Sequence, residues 1–296
     1  MTIDNDQIAI IMPAWNAERT IRSSIESVIQ QTYQNWKLII INDASTDRTV
    51  SVIQKYLCQD KRIILISNAK NSGVAFSRNQ GLATIKDEEW LAFLDSDDLW
   101  HTEKLRIQMS FMKNNISDFT FTSYWRITED GCLSSRPVKV PSDLTYRQFL
   151  GNTAIATSTV MLKINKKLPK INQGLSHEDF SYWCSILSVR DDYARWSYRL
   201  GISARAIGIP IPLMAYRICN NSVSRKRFLM SRWVWHILRT QEKLSFLYSV
   251  IKFVEYGTRA LIKHTKYRPR FSVISMLPPE LYLLATASDR ISDSHL

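Results

Sequence analysis

The sequence of 296 residues predicts an α/β protein: a mostly parallel sheet flanked by helices, followed by a basic, aromatic helical extension. Three observations carry that prediction. Short apolar runs alternate with helical periodicity through residues 8–100, the pattern of strand–helix–strand units. Three of those runs end abruptly in polar clusters, and parallel connections put such ends on one sheet edge, where open sheets bind ligands. The composition then changes after residue 224. Between Arg225 and Arg270, twelve Lys or Arg stand against only Glu242 and Glu255, which supplies most of the formal charge of +12.

Ile8–Met12 reads as a buried first strand that Pro13 ends, since proline cannot donate to a ladder. Asn16 is suited to cap the next helix, where Ile21, Ile25, Val28 and Ile29 recur at helical spacing. Leu38–Ile41 is a second strand, closing in the polar run Asn42 to Asp47. Val50, Ile53 and Leu57 mark a second helix, and Ile63–Ile66 a third strand. Asn71-Ser72-Gly73 makes a turn before a short helix over Ala75–Ala83 that carries Arg78 and Asn79. A fourth strand runs from Trp90 into Asp95-Ser96-Asp97-Asp98. Beyond it, Phe119–Tyr124 and Ala156–Leu162 read as strands, and a helix starts at Ser176.

The acidic cluster admits two readings. Ionised carboxylates are costly to bury unless paired or bound to metal, so Asp95, Asp97 and Asp98 belong just past the strand's end. Clustered oxygens suit Mg2+ or Mn2+, especially one shared with phosphate. The alternative is a solvated turn capping a helix that begins near His101. Glu178 and Asp179 also admit two readings: acids complementing a helix dipole, or a general base beside His177. No G-x-G-x-x-G follows the first strand, and no G-x-x-x-x-G-K-[ST] occurs anywhere, which argues against dinucleotide-fold and P-loop enzymes.

Five segments carry a family resemblance. They are Pro13-Ala14-Trp15-Asn16-Ala17-Glu18, Asn42 to Asp47, Asn71-Ser72-Gly73 with Arg78-Asn79-Gln80-Gly81, Asp95 to Asp98, and Glu178-Asp179. In this order and rough spacing the chain resembles family 2 glycosyltransferases over about residues 8–224. The Asp-Ser-Asp-Asp form is similar to bacterial enzymes of O-antigen, capsule or exopolysaccharide assembly.

The resemblance implies a GT-A fold and an inverting transfer from a nucleotide sugar, with UDP the commonest carrier, to a lipid-linked diphosphate saccharide. It implies that Pro13, Ala14, Asn16 and Glu18 line the nucleotide pocket and that Asp43 accepts a hydrogen bond from the base. Arg78 would face the diphosphate. Asp95 and Ser96 would lie in the nucleotide-sugar site, with Asp95 near ribose and metal, and Asp97 would help hold Mn2+ or Mg2+. Asp179 would be the base, with Glu178 as second candidate. The chain departs from the family pattern at Trp15, at Asn42 and at Cys219. Cys219 stands where relatives often carry a histidine, and cysteine is a soft ligand that suits Mg2+ or Mn2+ poorly. Arg217 or Ser222 would then contact phosphate, or else either is an ordinary polar loop residue.

Residues 1–224 are thus expected to form the catalytic domain and residues 225–296 the extension. Its basic and aromatic residues suit an anionic membrane interface, or else a helical pair packed on the catalytic domain with a wet basic face. The same charge suits nucleic acid, but no recognisable nucleic-acid module accompanies it. The terminal stretch, Ala285 to Leu296, reads as frayed. The cysteines Cys58, Cys132, Cys184 and Cys219 are scattered, the N-terminus lacks a signal peptide's charge and apolar core, and no apolar run is long enough to span a bilayer. Together these predict a cytoplasmic protein peripheral to the inner face of the membrane. Two competitors remain: a nucleotidyltransferase, which would want a glycine-rich signature near the N-terminus, and an inactive nucleotide-sugar-binding or scaffold protein.

Overall fold

The structure, a computed structural model, describes residues 6–114, 117–134, 136–164, 168–175, 177–197, 205–218 and 227–266. The first half alternates β1 (Ile8–Ala14), α1 (Ile21–Ile29), β2 (Trp36–Asn42), α2 (Thr49–Leu57), β3 (Ile63–Ser67), α3 (Val74–Ala83) and β4 (Trp90–Phe93). These four strands lie in the order β3–β2–β1–β4, each pair parallel. Their apolar runs are continuous because both faces are covered. Ala9, Ile11 and Ile39 bury on one side with α3's Ala75, while Ile8, Ile10, Met12 and Leu38 bury on the other with Ile21 and Ile25 of α1 and Ile53 of α2.

The second half adds β5 (Leu99–Trp100), α4 (Lys104–Asn114), β6 (Phe119–Thr128), β7 (Asp143–Leu144), α5 (Tyr146–Phe149), β8 (Met161–Lys163), α6 (Glu178–Ser197) and β9 (Ala206–Ile218). The sheet continues from β4 through β8, β6 and β9 to β5, with β7 also on β9. β4–β8, β8–β6, β5–β9 and β7–β9 are antiparallel, and β6–β9 is parallel. α6 covers the α3 face, where its Trp183 packs against Phe93 and Phe119 with ring centroids 5.8 and 5.6 Å away.

Several local expectations are corrected. β1 runs through Pro13, which pairs with Ile41. β4 pairs with β1 only as far as Ile11–Phe93, and the Ile11 carbonyl accepts Leu94 N–H on that side. Alternation puts the Pro13 nitrogen on the same side, past the end of β4, where a missing N–H leaves no ladder bond unmade. Asn16 does not cap α1, whose first residue follows Thr20. The acidic cluster does not cap a helix near His101 either: Leu99 and Trp100 intervene as β5, and α4 begins at Lys104. The strand expected over Ala156–Leu162 is a 3₁₀ turn, Thr157–Thr159, followed by β8. Thr159 Oγ1 donates to the Ala156 carbonyl at 2.6 Å, a side-chain-to-backbone bond that competes with extended chain.

The extension forms α7 (Arg227–His236), a π-helical turn (Ile237–Gln241) and α8 (Phe246–Lys266). Val234, Ile237 and Leu238 are buried in the same apolar cluster as Phe180 and Trp183 of α6. The expected boundary at residue 224, the stretch from Ala285, and Ser176 all lie outside the described residues.

Candidate active site

Parallel pairing sets the carboxyl ends of β2, β1 and β4 side by side, so the three polar clusters share one edge. The loops after β1 and β2 are laced together there. Asn16 has a φ of 47°, a left-handed conformation that asparagine tolerates well, and its Oδ1 accepts Thr46 N–H at 2.8 Å. Asn16 N–H donates to Ser45 Oγ at 3.0 Å, and Ala17 N–H to Thr49 Oγ1 at 2.8 Å. Glu18 accepts Arg48 N–H at 3.0 Å, and that backbone bond together with the Arg48 side chain holds its carboxyl below the usual range. Pro13 and Ala14 are buried in β1, while Trp15 stands 58% exposed at the loop's tip.

Asp43 is buried at the end of β2 and pins the next loop. Its Oδ1 accepts Asn68 Nδ2 at 2.8 Å and Ser72 N–H at 3.0 Å, and its Oδ2 accepts Gly73 N–H at 2.8 Å. Gly73 starts α3 with a φ of 87°, a conformation that glycine adopts without a Cβ penalty. Farther along α3, Gly81 lies so close to β1 that a Cβ would sit 2.8 Å from the Ile11 side chain. The missing side chain thereby sets how near Arg78, one turn earlier, comes to the sheet edge.

The acidic turn after β4 divides its carboxylates by burial. Asp95, Ser96 and Asp97 are partly exposed, whereas Asp98 is buried. Asp98 Oδ2 accepts Ser158 Oγ–H at 2.6 Å, and Oδ1 accepts Arg217 N–H at 3.0 Å. Burial, and then the nearby charges of Asp97 and Asp95, push the Asp98 carboxyl well above its ordinary range. Ser158 also accepts Asp95 N–H at 3.1 Å, so one hydroxyl ties both ends of the turn. From below, Ser24 Oγ reaches the carbonyls of Ser96 at 2.9 Å and Asp98 at 2.8 Å.

Arg78 brings the distant Glu178 to this edge. It is buried, its Nη2 lies 2.6 Å from Asp95 Oδ1, and its Nη1 lies 3.3 Å from Glu178 Oε1. Asn79 assists from the same helix: Asn79 Nδ2 donates to the Ile171 carbonyl at 2.8 Å, and Ile171 N–H returns a bond to Asn79 Oδ1 at 2.8 Å. The chain leading into α6 is thus fastened to α3.

Glu178 and Asp179, adjacent in sequence, sit differently. The Glu178 side chain is 14% exposed, and burial raises its carboxyl above the ordinary value despite Arg78. The Asp179 side chain is 35% exposed, with Oδ1 2.7 Å from His177 Nδ1 and accepting Phe180 N–H at 2.7 Å. Burial works to raise Asp179, but His177, Arg78 and the Phe180 N–H together bring it down to about 2. Burial likewise works to lower the His177 imidazole, and Asp179 outweighs it, leaving its pKa raised.

Arg217 is buried beneath the acidic turn. Its Nε donates to the Asp97 carbonyl at 2.9 Å and its Nη1 to the Glu129 carbonyl at 2.6 Å. Ser222 and Cys219 lie outside the described residues. Among the described residues, no group of three or more His, Cys, Asp or Glu side chains is arranged to hold a metal by itself. Sequence reasoning missed Ser24 and Ser158 as supports of the turn. Neither lies in a recognisable motif, although Ser158 falls in a run of small hydroxyl residues that does not read cleanly as strand.

Comparison with known proteins places the chain among sugar-transferring enzymes. The family described as Glycosyl transferase family 2 matches residues 9–171. The chain is 32% identical over 260 residues to the Escherichia coli UDP-Glc:alpha-D-GlcNAc-diphosphoundecaprenol beta-1,3-glucosyltransferase WfgD, covering 87% of this chain and 96% of that protein. The fold is similar to Staphylococcus aureus TarS 1-349 in complex with UDP, with a TM-score of 0.60 and 16% identity over 86% of this chain and 72% of TarS 1-349. It is also similar to the mannosyltransferase PcManGT from Pyrobaculum calidifontis in complex with GDP-Man and Mn2+, with a TM-score of 0.59 and 14% identity over 95% of this chain and 73% of that one.

Proposed function

The chain belongs to glycosyl transferase family 2, and from that premise we propose that it is an inverting enzyme of bacterial surface polysaccharide assembly. It moves a sugar from a nucleotide sugar, a UDP-sugar, to a lipid-linked diphosphate saccharide of the O-antigen or capsule type. WfgD, whose name specifies UDP-Glc and a diphosphoundecaprenol acceptor, supports this choice over most of both chains. In this reading residues 1–224 catalyse, and residues 225–296 hold the enzyme against the inner face of the membrane. Among the described residues no helix is long and apolar enough to cross a membrane.

The observation that carries the proposal is the Arg78 bridge between Asp95 and Glu178. It joins the edge that would hold the donor to the helix start that would act on the acceptor. Pro13, Ala14, Asn16 and Glu18 shape the nucleotide side. A carboxylate offers about four lone-pair sites. Three of those on Asp43 are taken by Asn68, Ser72 and Gly73, leaving one on Oδ2 for a donor on the base.

Asp95 and Asp97 fit a divalent cation. They are hard oxygen donors left partly exposed, and their charges already press on Asp98, a negative potential that a cation relieves. Mg2+-like ions are commonly held by one or two carboxylates plus substrate phosphates, so two protein ligands suffice. Such an ion, once bound, offsets the charge that develops on the departing nucleoside diphosphate. Arg217 and Ser158 fix the turn that presents these carboxylates.

Asp179 accepts the proton of the acceptor hydroxyl. As that oxygen bonds the anomeric carbon from one face, the bond to the diphosphate oxygen breaks on the other, inverting the centre. Asp179 is the better placed of the two acids: it is more exposed and ionised at neutral pH, while Glu178 is engaged by Arg78. Binding and hydrolysis of a panel of nucleotide sugars, with and without Mn2+, test this reading. It expects binding to a UDP-sugar that depends on Mn2+ or Mg2+. A folded protein that binds no nucleotide sugar overturns it.

A further inference from the structure

We propose that α8 docks on an anionic lipid surface through one apolar stripe, Leu247, Ile251 and Val254. The proposal rests on the lipid-linked acceptor of the reading above and names the surface that meets its membrane.

Leu247, Ile251 and Val254 follow one another at i, i+4 and i+7, so they share a helix face. All three are exposed, Leu247 by 71%, Ile251 by 46% and Val254 by 56%. The opposite face is fastened down. Ser249 and Lys252 are buried, Phe253 and Tyr256 pack on the main core, and Phe253 meets Trp235 of α7 with ring centroids 5.5 Å apart. The stripe is therefore an outward face of a seated helix. Single exposed apolar residues are ordinary, but three large ones aligned on one helix face mark an interaction surface.

Charge decides the occupant. The segment carries twelve basic residues and two acids. Both acids are engaged within the protein, Glu242 by Tyr146 and Glu255 by Lys252 at 2.9 Å. Arg232, Lys243 and Arg259 are exposed. An apolar helix face with uncancelled positive charge matches the headgroup layer of an anionic membrane. A second copy of the chain would bring like charge against like charge. The placement also serves the reaction. The π-helical turn between α7 and α8 is fastened to α6, where Ser181 Oγ donates to Gln241 Oε1 at 2.5 Å, less than one turn from Glu178 and Asp179. A saccharide whose lipid anchor lies in the same membrane is thereby presented near the base.

The test is co-sedimentation of the full chain with vesicles of phosphatidylglycerol and phosphatidylcholine in equal parts, against pure phosphatidylcholine. The chain is expected to bind the anionic vesicles and to be weakened by salt. Leu247→Ser with Val254→Ser should lower binding by about tenfold or more, and Lys243→Glu with Arg259→Glu should lower it too. Both pairs should leave the thermal midpoint and nucleotide-sugar hydrolysis unchanged. Equal binding by the Leu247/Val254 variant overturns the proposal. So does a chain that ignores anionic vesicles, or one that forms a dimer by light scattering which the Leu247/Val254 pair breaks. Vesicle binding does not depend on turnover, so failure of the glycosyltransferase reading would be seen separately, as absent nucleotide-sugar binding.

Discussion

Two groups of acids meet at one sheet edge and are held by different forces. Asp43 and Asp98 accept backbone N–H groups, a side-chain amide and a hydroxyl. Asp95, Glu178 and Asp179 are held by charge, through Arg78 and His177. Backbone donors do not titrate, so their half of the bond does not change with pH. An ion pair fixes it only while both partners are charged. The hydrogen-bonded pair is therefore set by chain geometry, while the charge-held group answers to pH and to single substitutions.

The largest effect expected from breaking that contrast is at Arg78. Arg78→Met leaves two partly buried carboxylates without their common cation, and breaking buried pairs costs about 3 kcal/mol or more. Denaturant unfolding should report that loss, and Arg78→Lys should recover little of it, because a single ammonium does not reproduce the fork. A variant as stable as the parent would mean that the bridge is incidental. On the hydrogen-bonded side, Ser158→Ala removes the shared support of Asp98 and Asp95. It should cost about 1–3 kcal/mol and also weaken donor binding in Mn2+; normal donor affinity would remove Ser158 from the site's architecture. Asp97→Ala should act mainly on function. Its donor titration in Mn2+ should weaken, while its stability changes by less than about 1 kcal/mol.

The smallest effects are those of pH. The raised His177 contributes stability that is complete below the ordinary imidazole value of about 6.5 and is lost as pH rises through its higher folded value. Asp179, being lowered, contributes stability that is lost only as pH falls toward about 2. The parent should therefore lose stability relative to a His177→Gln variant as pH climbs above about 6.5. Equal slopes would mean the pair contributes nothing. The rate profile sharpens the choice of base. With Asp179 as base, kcat/KM should show no acid limb above 4.5; with Glu178, whose carboxyl is raised from 4.5, the limb should lie above that value.

The first half of the fold was legible because parallel strands buried on both faces are written as unbroken apolar runs, as at Leu38–Ile41. The shared edge followed from connectivity alone. Local details were hidden where tertiary pairing overrides residue preference. Pro13 stays in β1 because the neighbouring strand has ended, and Asn16 bonds Thr46 across thirty positions of sequence instead of capping α1. Asp98 and its neighbour Asp97 look alike in sequence, and only the approach of Ser158 and Arg217 from far along the chain separates them. The extension's basic composition was plain, but which of its faces is buried depends on α6 and Trp235, which no local pattern specifies.

The account stands most directly on Asp179. Substituting Asp179→Asn and measuring sugar transfer alongside nucleotide-sugar affinity separates chemistry from binding. Transfer should be lost while donor affinity is preserved, because the proposed role of Asp179 is to act on the acceptor while other residues hold the donor. Transfer that survives in the Asn variant would contradict the assignment and return the base to Glu178 or to another group.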